Sequence, residues 1–351
     1  MKKILLILVG GTICTALNEH GTLSISEGAG VKLIENFKNS DSPFKNKVEI
    51  KPTENLFILS ENMSIENWNL MLDTYRKHIN TDNFDGVIFA HGTDTLAFSI
   101  SLFSLILANT DIPVFFVSSN ARLDSDRANG NDNFRYAVEL ICKGIEPNVY
   151  ATYKNISDGR MYLHLGSRLK QCANYSEDFF SNGAIDITVI SDESLKIIKE
   201  KYPKKEKSPL IDINGDWHLK NCVLMITPYV GLDYDSFNYS RFSAILHGTY
   251  HSGTACAEPY ENSVLHLMDL CEKENPDIDI YLSPSKNSGE IYDTVRVIGS
   301  HKANQNKINF LYGCTNETAY AKLVLAYSIW KEKKDIEKFI NTNVNFEFFD
   351  K

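Results

Sequence analysis

The sequence lacks an apolar stretch long enough to cross a membrane. A spanning helix needs roughly 20 apolar residues, and the longest helical run, residues 97–108, is interrupted by three serines. The chain starts with two lysines and six apolar residues, which is short for a signal peptide and leads into Gly-Gly-Thr without a small-residue cleavage site. We therefore interpret residues 4–9 as the first strand, and we expect a soluble protein that does not bind membranes.

The chain also lacks an excess of positive charge and any paired cysteine motif. Its formal net charge is −9 and its pI is about 5.5, which argues against nucleic acid, because clustered Lys and Arg supply much of that affinity. The seven cysteines are odd in number and show no C-x-x-C spacing, as is typical of reduced thiols in the cytoplasm. We expect a cytoplasmic protein that binds a small molecule and has no metal site.

Nucleotide-binding motifs are missing after the two clearest strands, since neither G-x-G-x-x-G nor a lysine after the glycines is present. Instead, the run 4–9 ends in Gly-Gly-Thr, and the run 86–90 ends in His-Gly-Thr-Asp-Thr. Carboxyl ends of parallel strands form the ligand-binding edge of α/β sheets. Thr12, Thr93 and Asp94 at that edge indicate a nucleophile with its activating groups. Alternatively, Thr12 bonds the turn backbone, and Thr93 or Asp94 caps the next helix; His91 is interpreted as structural.

Strand-like and helix-like segments alternate along the chain. Apolar strand patterns lie at 87–90, 114–117 and 149–153, and helical patterns lie at 96–108 and 134–142. This alternation predicts an α/β fold whose larger N-terminal domain, residues 1–200, is a mostly parallel sheet flanked by helices. A lysine- and proline-containing segment, 201–217, is predicted to be a linker. Residues 218–351 form a smaller C-terminal α/β domain, with strands near 223–226, 243–246, 278–282 and 308–311.

Three segments together resemble the bacterial-type L-asparaginase family: Gly-Gly-Thr-Ile after the first strand, Ser-Glu-Asn-Met at 60–63, and His-Gly-Thr-Asp-Thr about thirty residues later. The resemblance is specific in roughly the first 140 residues and continues mainly as length and strand pattern. It implies hydrolysis of the side-chain amide of L-asparagine to L-aspartate and ammonia through an acyl-enzyme. It also implies that no metal or organic cofactor is needed, and that the chain self-associates into a dimer or tetramer.

The resemblance assigns a role to each candidate catalytic residue. Thr12 would attack the amide, while Thr93, Asp94 and Lys170 would manage protons. The assignment of Lys170 depends on the Gly-Ser-Arg that precedes it at 166–168 and on a phenylalanine nine residues after it. A neutral His164 is the alternative proton acceptor.

The resemblance also implies which residues bind the substrate. Ser60, which we expect after a short strand at 57–59, would hold the α-carboxylate. Glu61 and Asp94 would give the α-ammonium two anionic partners. The structural alternative is a polar loop before a helix that Ser64 caps.

One part of the family pattern is missing from this sequence. The family's mobile lid carries a tyrosine ten to thirteen residues after the nucleophile, but residues 18–26 contain none, and Thr22 stands near the expected place. Another hydroxyl could take the role, or activity on asparagine is weak, or the substrate is glutamine or a modified asparagine. A non-catalytic amino-acid-binding homologue is a further alternative. We disfavour the related subunit of archaeal glutamyl-tRNA amidotransferase, which takes ammonia from glutamine, because its extra N-terminal domain has no room before Gly10.

Overall fold

The structure, a computed structural model, describes residues 1–17, 23–25, 28–204, 211–286, 291–301 and 308–349. It divides into two units, Met1–Asp216 and Trp217–Lys351. Residues 18–22 and 26 of the segment 18–26, Thr22 among them, and residues 205–210 of the predicted linker lie outside the described residues.

The first unit holds the strands and helices that follow the two glycine–threonine motifs. Its strands are β1 Lys2–Leu8, β2 Thr15–Leu17, β3 Leu23–Ile25, β4 Val48–Pro52, β5 Gly86–Ala90, β6 Val114–Val117, β7 Val149–Lys154, β8 Met161–Leu165, β9 Leu169–Lys170, β10 Phe180–Ser181 and β11 Ile185–Asp186. Its helices are α1 Ala29–Lys38, α2 Ile65–Ile79, α3 Leu96–Ile106, α4 Gly130–Lys143 and α5 Asp192–Lys201.

A seven-stranded sheet of order β11-β8-β7-β6-β5-β1-β4 forms the centre of this unit. The pairs from β4 to β7 are parallel, and β8 and β11 add antiparallel pairs. Strands β5 and β6 are buried along their whole length, because they are continuous apolar runs covered on both faces. The predicted mostly parallel α/β architecture is confirmed, and its carboxyl edge carries the segments that follow β1 and β5.

The second unit is a smaller α/β domain, as predicted. Its strands are β12 Val223–Ile226, β13 Ala244–Gly248, β14 Asp279–Ser285 and β15 Ile308–Tyr312, and its helices are α6 Val264–Glu274, α7 Asp293–Gly299, α8 Asn316–Ile329 and α9 Lys333–Asn341. The four strands pair in chain order, and all pairs are parallel. None of the helices in the described ranges is long and apolar enough to cross a bilayer. All seven cysteines are free thiols.

The strand expected at 57–59 does not form. Phe57 has a φ of +57°, a left-handed conformation that interrupts an extended run, whereas β4 pairs with the earlier residues 2–6 of β1. Ile58 forms only an isolated bridge with Gly10, in which its amide donates to the Val9 carbonyl over 3.0 Å. This single bridge still delivers the next residues, starting at Ser60, to the carboxyl edge of the sheet.

A buried chain of hydrogen bonds joins β5, α2 and α3 inside the core. His91 Nδ1 lies 2.7 Å from the Gly92 carbonyl, so this nitrogen carries the proton, and Nε2 accepts from the Ser99 hydroxyl at 3.0 Å. The Trp68 indole donates to the same hydroxyl over 2.9 Å. Burial lowers the pKa of His91 to about 4, so the ring is neutral and structural at neutral pH.

The neutral state of His91 predicts how stability depends on pH. Unfolded histidine titrates near pH 6.5, so between about pH 6.5 and 4 the unfolded chain binds one more proton, and stability falls as pH is lowered through that window. Protonation of His91 in the unfolded chain is expected to lower the free energy of unfolding by on the order of 3 kcal/mol across this window. Urea midpoints between pH 4 and 7.5 should fall less steeply for His91→Asn than for wild type. His218→Gln, at an exposed histidine, is the control, and equal slopes for all three proteins would contradict the prediction.

Candidate active site

Three loops meet at the carboxyl edge of the sheet because glycines let their backbones touch. Gly11 has a φ of +75°, and a methyl group on it would lie 2.1 Å from Gly92 Cα. A methyl group on Gly92 would lie 2.4 Å from Ser60 Oγ and 3.0 Å from Gly11 Cα. The residues just before Thr12 and Thr93 are therefore in contact with each other, and Gly92 also contacts Ser60.

Ser60 and Asp94 are joined directly by their side chains. The Ser60 hydroxyl donates to Asp94 Oδ2 over 2.9 Å and lies 3.3 Å from the Asp94 amide. The Thr95 hydroxyl donates to the Ser60 carbonyl over 2.9 Å. Ser60 is buried, whereas Asp94 is exposed. The Asp94 carboxylate is therefore anchored by a buried hydroxyl and is accessible to solvent. It is placed to receive a cationic ligand.

The start of α3 is capped by a residue that the sequence analysis did not select. Thr95, the N-cap residue, makes no side-chain cap bond, because its hydroxyl is used on Ser60. Gln171 supplies the cap instead, since its Oε1 accepts from the Ala97 amide over 3.3 Å and its Nε2 donates to the Thr93 carbonyl over 2.8 Å. No sequence pattern marks Gln171, because it lies just after the two-residue strand β9. Only the folded chain shows that its side chain contacts the Thr93 turn.

The other predicted site residues lie on three separate segments and differ in exposure. Thr12 is partly exposed in a 3-10 turn directly after Gly11. Glu61 is exposed in the 3-10 turn that begins at Ser60. Lys170 is exposed at the end of β9, one residue before Gln171.

The alternative proton acceptor, His164, is fully buried on β8. Its Nδ1 lies 2.8 Å from the Ser181 hydroxyl, and burial lowers its pKa to about 3. Neither His164 nor Lys170 lines the cavity of about 530 Å³ that Thr93 and Asp94 border. The Ser64 hydroxyl, for its part, accepts from the Asn67 amide over 3.2 Å and caps α2.

The converging groups are suited to acyl transfer. Two threonine turns and a carboxylate meet at one sheet edge, so hydroxyl groups lie close to a group that can bind a substrate. Within the part of the chain that the structure describes, no group of three or more His, Cys, Asp or Glu side chains could hold a metal ion.

The chain is similar to known proteins both in sequence and in fold. The D-type subunit of glutamyl-tRNA(Gln) amidotransferase from Saccharolobus solfataricus is 27% identical over 260 residues, which are 72% of this chain and 56% of that protein. Its counterpart from Methanobrevibacter smithii is 24% identical over 296 residues, 84% of this chain and 66% of the relative. The chain thus spans little more than half the length of the first of these relatives.

Two solved structures share the fold over almost the whole chain. The thermostable L-asparaginase from Thermococcus kodakarensis gives a TM-score of 0.75 at 21% identity, covering 99% of this chain and 100% of that one. L-asparaginase I from Vibrio cholerae gives 0.70 at 19% identity, covering 99% of both. The model of the N-terminal asparaginase domain matches residues 3–202. Because that match spans more than half of the 351 residues, the chain belongs to the asparaginase family.

Proposed function

We propose that this protein hydrolyses the side-chain amide of L-asparagine to L-aspartate and ammonia. The observation that carries the proposal is the contact between Gly11, Gly92 and Ser60, which brings the Thr12 turn, the Thr93–Asp94 turn and the Ser60–Asp94 hydrogen bond to one place. Amide hydrolysis by a hydroxyl needs this combination of a nucleophile, a proton-transferring neighbour and groups that hold the substrate.

In the proposed reaction, Thr12 Oγ attacks the amide carbon, and its proton passes to Thr93 and Lys170. The C–N bond then breaks, ammonia leaves with a proton, and water hydrolyses the ester. Asp94 and Glu61 would bind the α-ammonium. The Ser60 hydroxyl, which donates to Asp94 in this structure, would turn its single proton to the α-carboxylate when the substrate binds. Asparagine should therefore be a much better substrate than succinamic acid, which lacks the ammonium, and equal rates would remove this role from Asp94.

Lys170 and Thr93 are proposed to accept and donate protons during the reaction. The support is the Gly-Ser-Arg that precedes Lys170 at 166–168 and the phenylalanine nine residues after it, together with an ammonium group carried on a flexible four-carbon stem. If Lys170→Met keeps the wild-type kcat, Lys170 does not transfer protons in the reaction. We further propose a cytoplasmic protein that self-associates into a dimer or tetramer.

A second candidate is ammonia release from glutamine. The observation that favours it is the match to the two glutamyl-tRNA(Gln) amidotransferase relatives. The match covers only part of those proteins. It therefore supports cleavage of an amide by this chain, and it does not support the complete reaction of those proteins.

The test is ammonia release by purified protein from L-asparagine and from L-glutamine at equal concentrations. We expect release from asparagine, with a kcat/KM at least about 10-fold above that for glutamine, because a site that fits one side-chain length misplaces the longer amide by a carbon–carbon bond. The reverse ratio would favour the second candidate. No release from either amide, while asparagine or aspartate still raises the melting temperature, would leave a non-catalytic amino-acid-binding protein.

A further inference from the structure

A single peptide group, the one between Thr93 and Asp94, is held at both of its ends. Its amide donates to the Ser60 hydroxyl oxygen over 3.3 Å. Its carbonyl accepts from Gln171 Nε2 over 2.8 Å and from the Leu96 amide over 3.3 Å. The amide and the carbonyl of a trans peptide point in opposite directions. The side chains of Ser60 and Gln171 therefore clamp this peptide group from two sides.

The orientation of this peptide group controls two side chains of the site. The group is planar, so only the soft backbone dihedrals on either side of it can turn. The side chains of Thr93 and Asp94 leave the two α-carbons that flank the group, so a rotation of the peptide displaces both. A displacement of about 1 Å at a reacting group costs on the order of 10²-fold in rate. A residue that fixes the peptide group thus affects the chemistry without touching the substrate.

The other end of the Gln171 side-chain amide is used as well. Its Oε1 accepts from the Ala97 amide over 3.3 Å, which belongs to the first turn of α3, where amides have no carbonyl partner within the helix. Thr95, the N-cap residue, makes no side-chain cap bond. Position 171 therefore requires one donor and one acceptor. An amide side chain supplies both, whereas a carboxylate supplies acceptors only.

We propose that Gln171 is a positioning residue, which sets the orientation of the Thr93–Asp94 peptide group for amide hydrolysis. This inference rests on the proposed function. Gln171 lies just after β9 and borders the same cavity as Thr93 and Asp94. It forms and breaks no bond in the reaction. Its amide keeps the Thr93 hydroxyl and the Asp94 carboxylate in the arrangement in which proton transfer and ammonium binding occur together.

The test compares Gln171→Glu and Gln171→Met with wild type in ammonia release from L-asparagine between about pH 8 and pH 5. At pH 8 the carboxylate of the first variant keeps the bond from Ala97 and loses the one to the Thr93 carbonyl. We expect kcat to fall at least about 10-fold in both variants. A protonated carboxyl has one donor and one acceptor again. Relative to wild type, kcat of Gln171→Glu should therefore rise as pH is lowered, whereas kcat of Gln171→Met should not.

The surroundings of position 171 favour the protonated form of the introduced carboxyl. Asp94 and Glu177 border the same cavity, and no Lys or Arg is among its described lining residues. Lys170 is exposed, and the Cys172 thiol is neutral, because burial raises its pKa to about 12. The Thr93 carbonyl accepts a bond only from the neutral carboxyl. The pKa of the introduced carboxyl should therefore lie above the usual value of about 4.3, so that recovery begins within the tested range.

Ser191→Ala is the control for a lost helix cap. The Ser191 hydroxyl accepts from the Ser194 amide over 3.1 Å at the start of α5, a helix that carries no site residue. The variant should have a lower melting temperature and the wild-type kcat at every pH. All rates are measured at a temperature at which the melting curve of each variant shows it to be fully folded.

The outcomes separate this inference from the proposed function. Hydrolysis of asparagine by wild type, with unchanged kcat in both Gln171 variants, overturns the positioning role and leaves the proposed function standing. Equal losses in both variants, with no recovery of Gln171→Glu at low pH, overturn the role of the bond to the Thr93 carbonyl. A similar loss of kcat in Ser191→Ala assigns the effect to general destabilisation and overturns the inference as well. No ammonia release by wild type overturns both.

Discussion

Thr12→Ala is expected to lower ammonia release from L-asparagine by at least about 10³-fold, because no other group would form the ester with the substrate. The position of Thr12 supports this size of effect, since it follows Gly11, which contacts the turn of Thr93. Thr12→Ser keeps a hydroxyl at the same backbone position and should retain measurable turnover. Acid quenching of wild type during turnover, followed by mass spectrometry, should find an aspartyl ester on the peptide that contains Thr12.

The control for this loss is a threonine that lies outside the site. Thr81 is exposed after α2, where its hydroxyl donates to the His78 carbonyl over 2.7 Å, and Thr81→Ala should keep the wild-type rate. Turnover by Thr12→Ala within about 10-fold of wild type, or an ester found on a different peptide, would contradict the assignment of the nucleophile.

The sequence was sufficient to predict the sheet and its functional edge. Continuous apolar runs such as 86–90 predict buried parallel strands, and the residues that follow them lie at the carboxyl edge. The parallel register, in which Leu8 lies opposite Ala90, then brings the two glycine–threonine turns side by side. Pairing register is a property of the assembled sheet, so the motifs predicted the neighbourhood of Thr12 and Thr93 but not the contact between Gly11 and Gly92.

The parts that sequence reasoning missed depend on tertiary contacts. The strand expected at 57–59 does not form, because a single left-handed residue, Phe57, interrupts it. Gln171 was overlooked beside Lys170, since only the folded chain shows which of two neighbours turns toward α3. The cavity wall combines Asn120, Tyr153 and Glu177 from separate segments, and no spacing rule relates them. Local patterns therefore predicted the edge of the sheet, while the lining of the cavity beside Thr93 and Asp94 comes from distant segments.

The second large effect is expected for Gly11→Ala. Gly11 has φ and ψ of 75° and −174°, a region that is essentially open to glycine alone and costs another residue about 1–3 kcal/mol. Its new methyl group would also lie 2.1 Å from Gly92 Cα, so the turns of Thr12 and Thr93 must separate. Because displacement of reacting groups by about 1 Å costs on the order of 10²-fold, kcat/KM for asparagine should fall by at least about that factor, with a lower urea midpoint.

Gly144→Ala separates the contact from the backbone conformation. Gly144 ends α4 at a similar φ of +77°, but with ψ of 43° and no atom within 4 Å of the added methyl group. It should lose only about 1 kcal/mol of stability and keep its activity. If Gly11→Ala also keeps the wild-type kcat/KM, contact between the two turns is not required for the reaction. If both variants lose activity equally, the loss comes from general destabilisation. A large loss confined to Gly11→Ala would show that the reaction requires contact between the two glycine turns that precede Thr12 and Thr93.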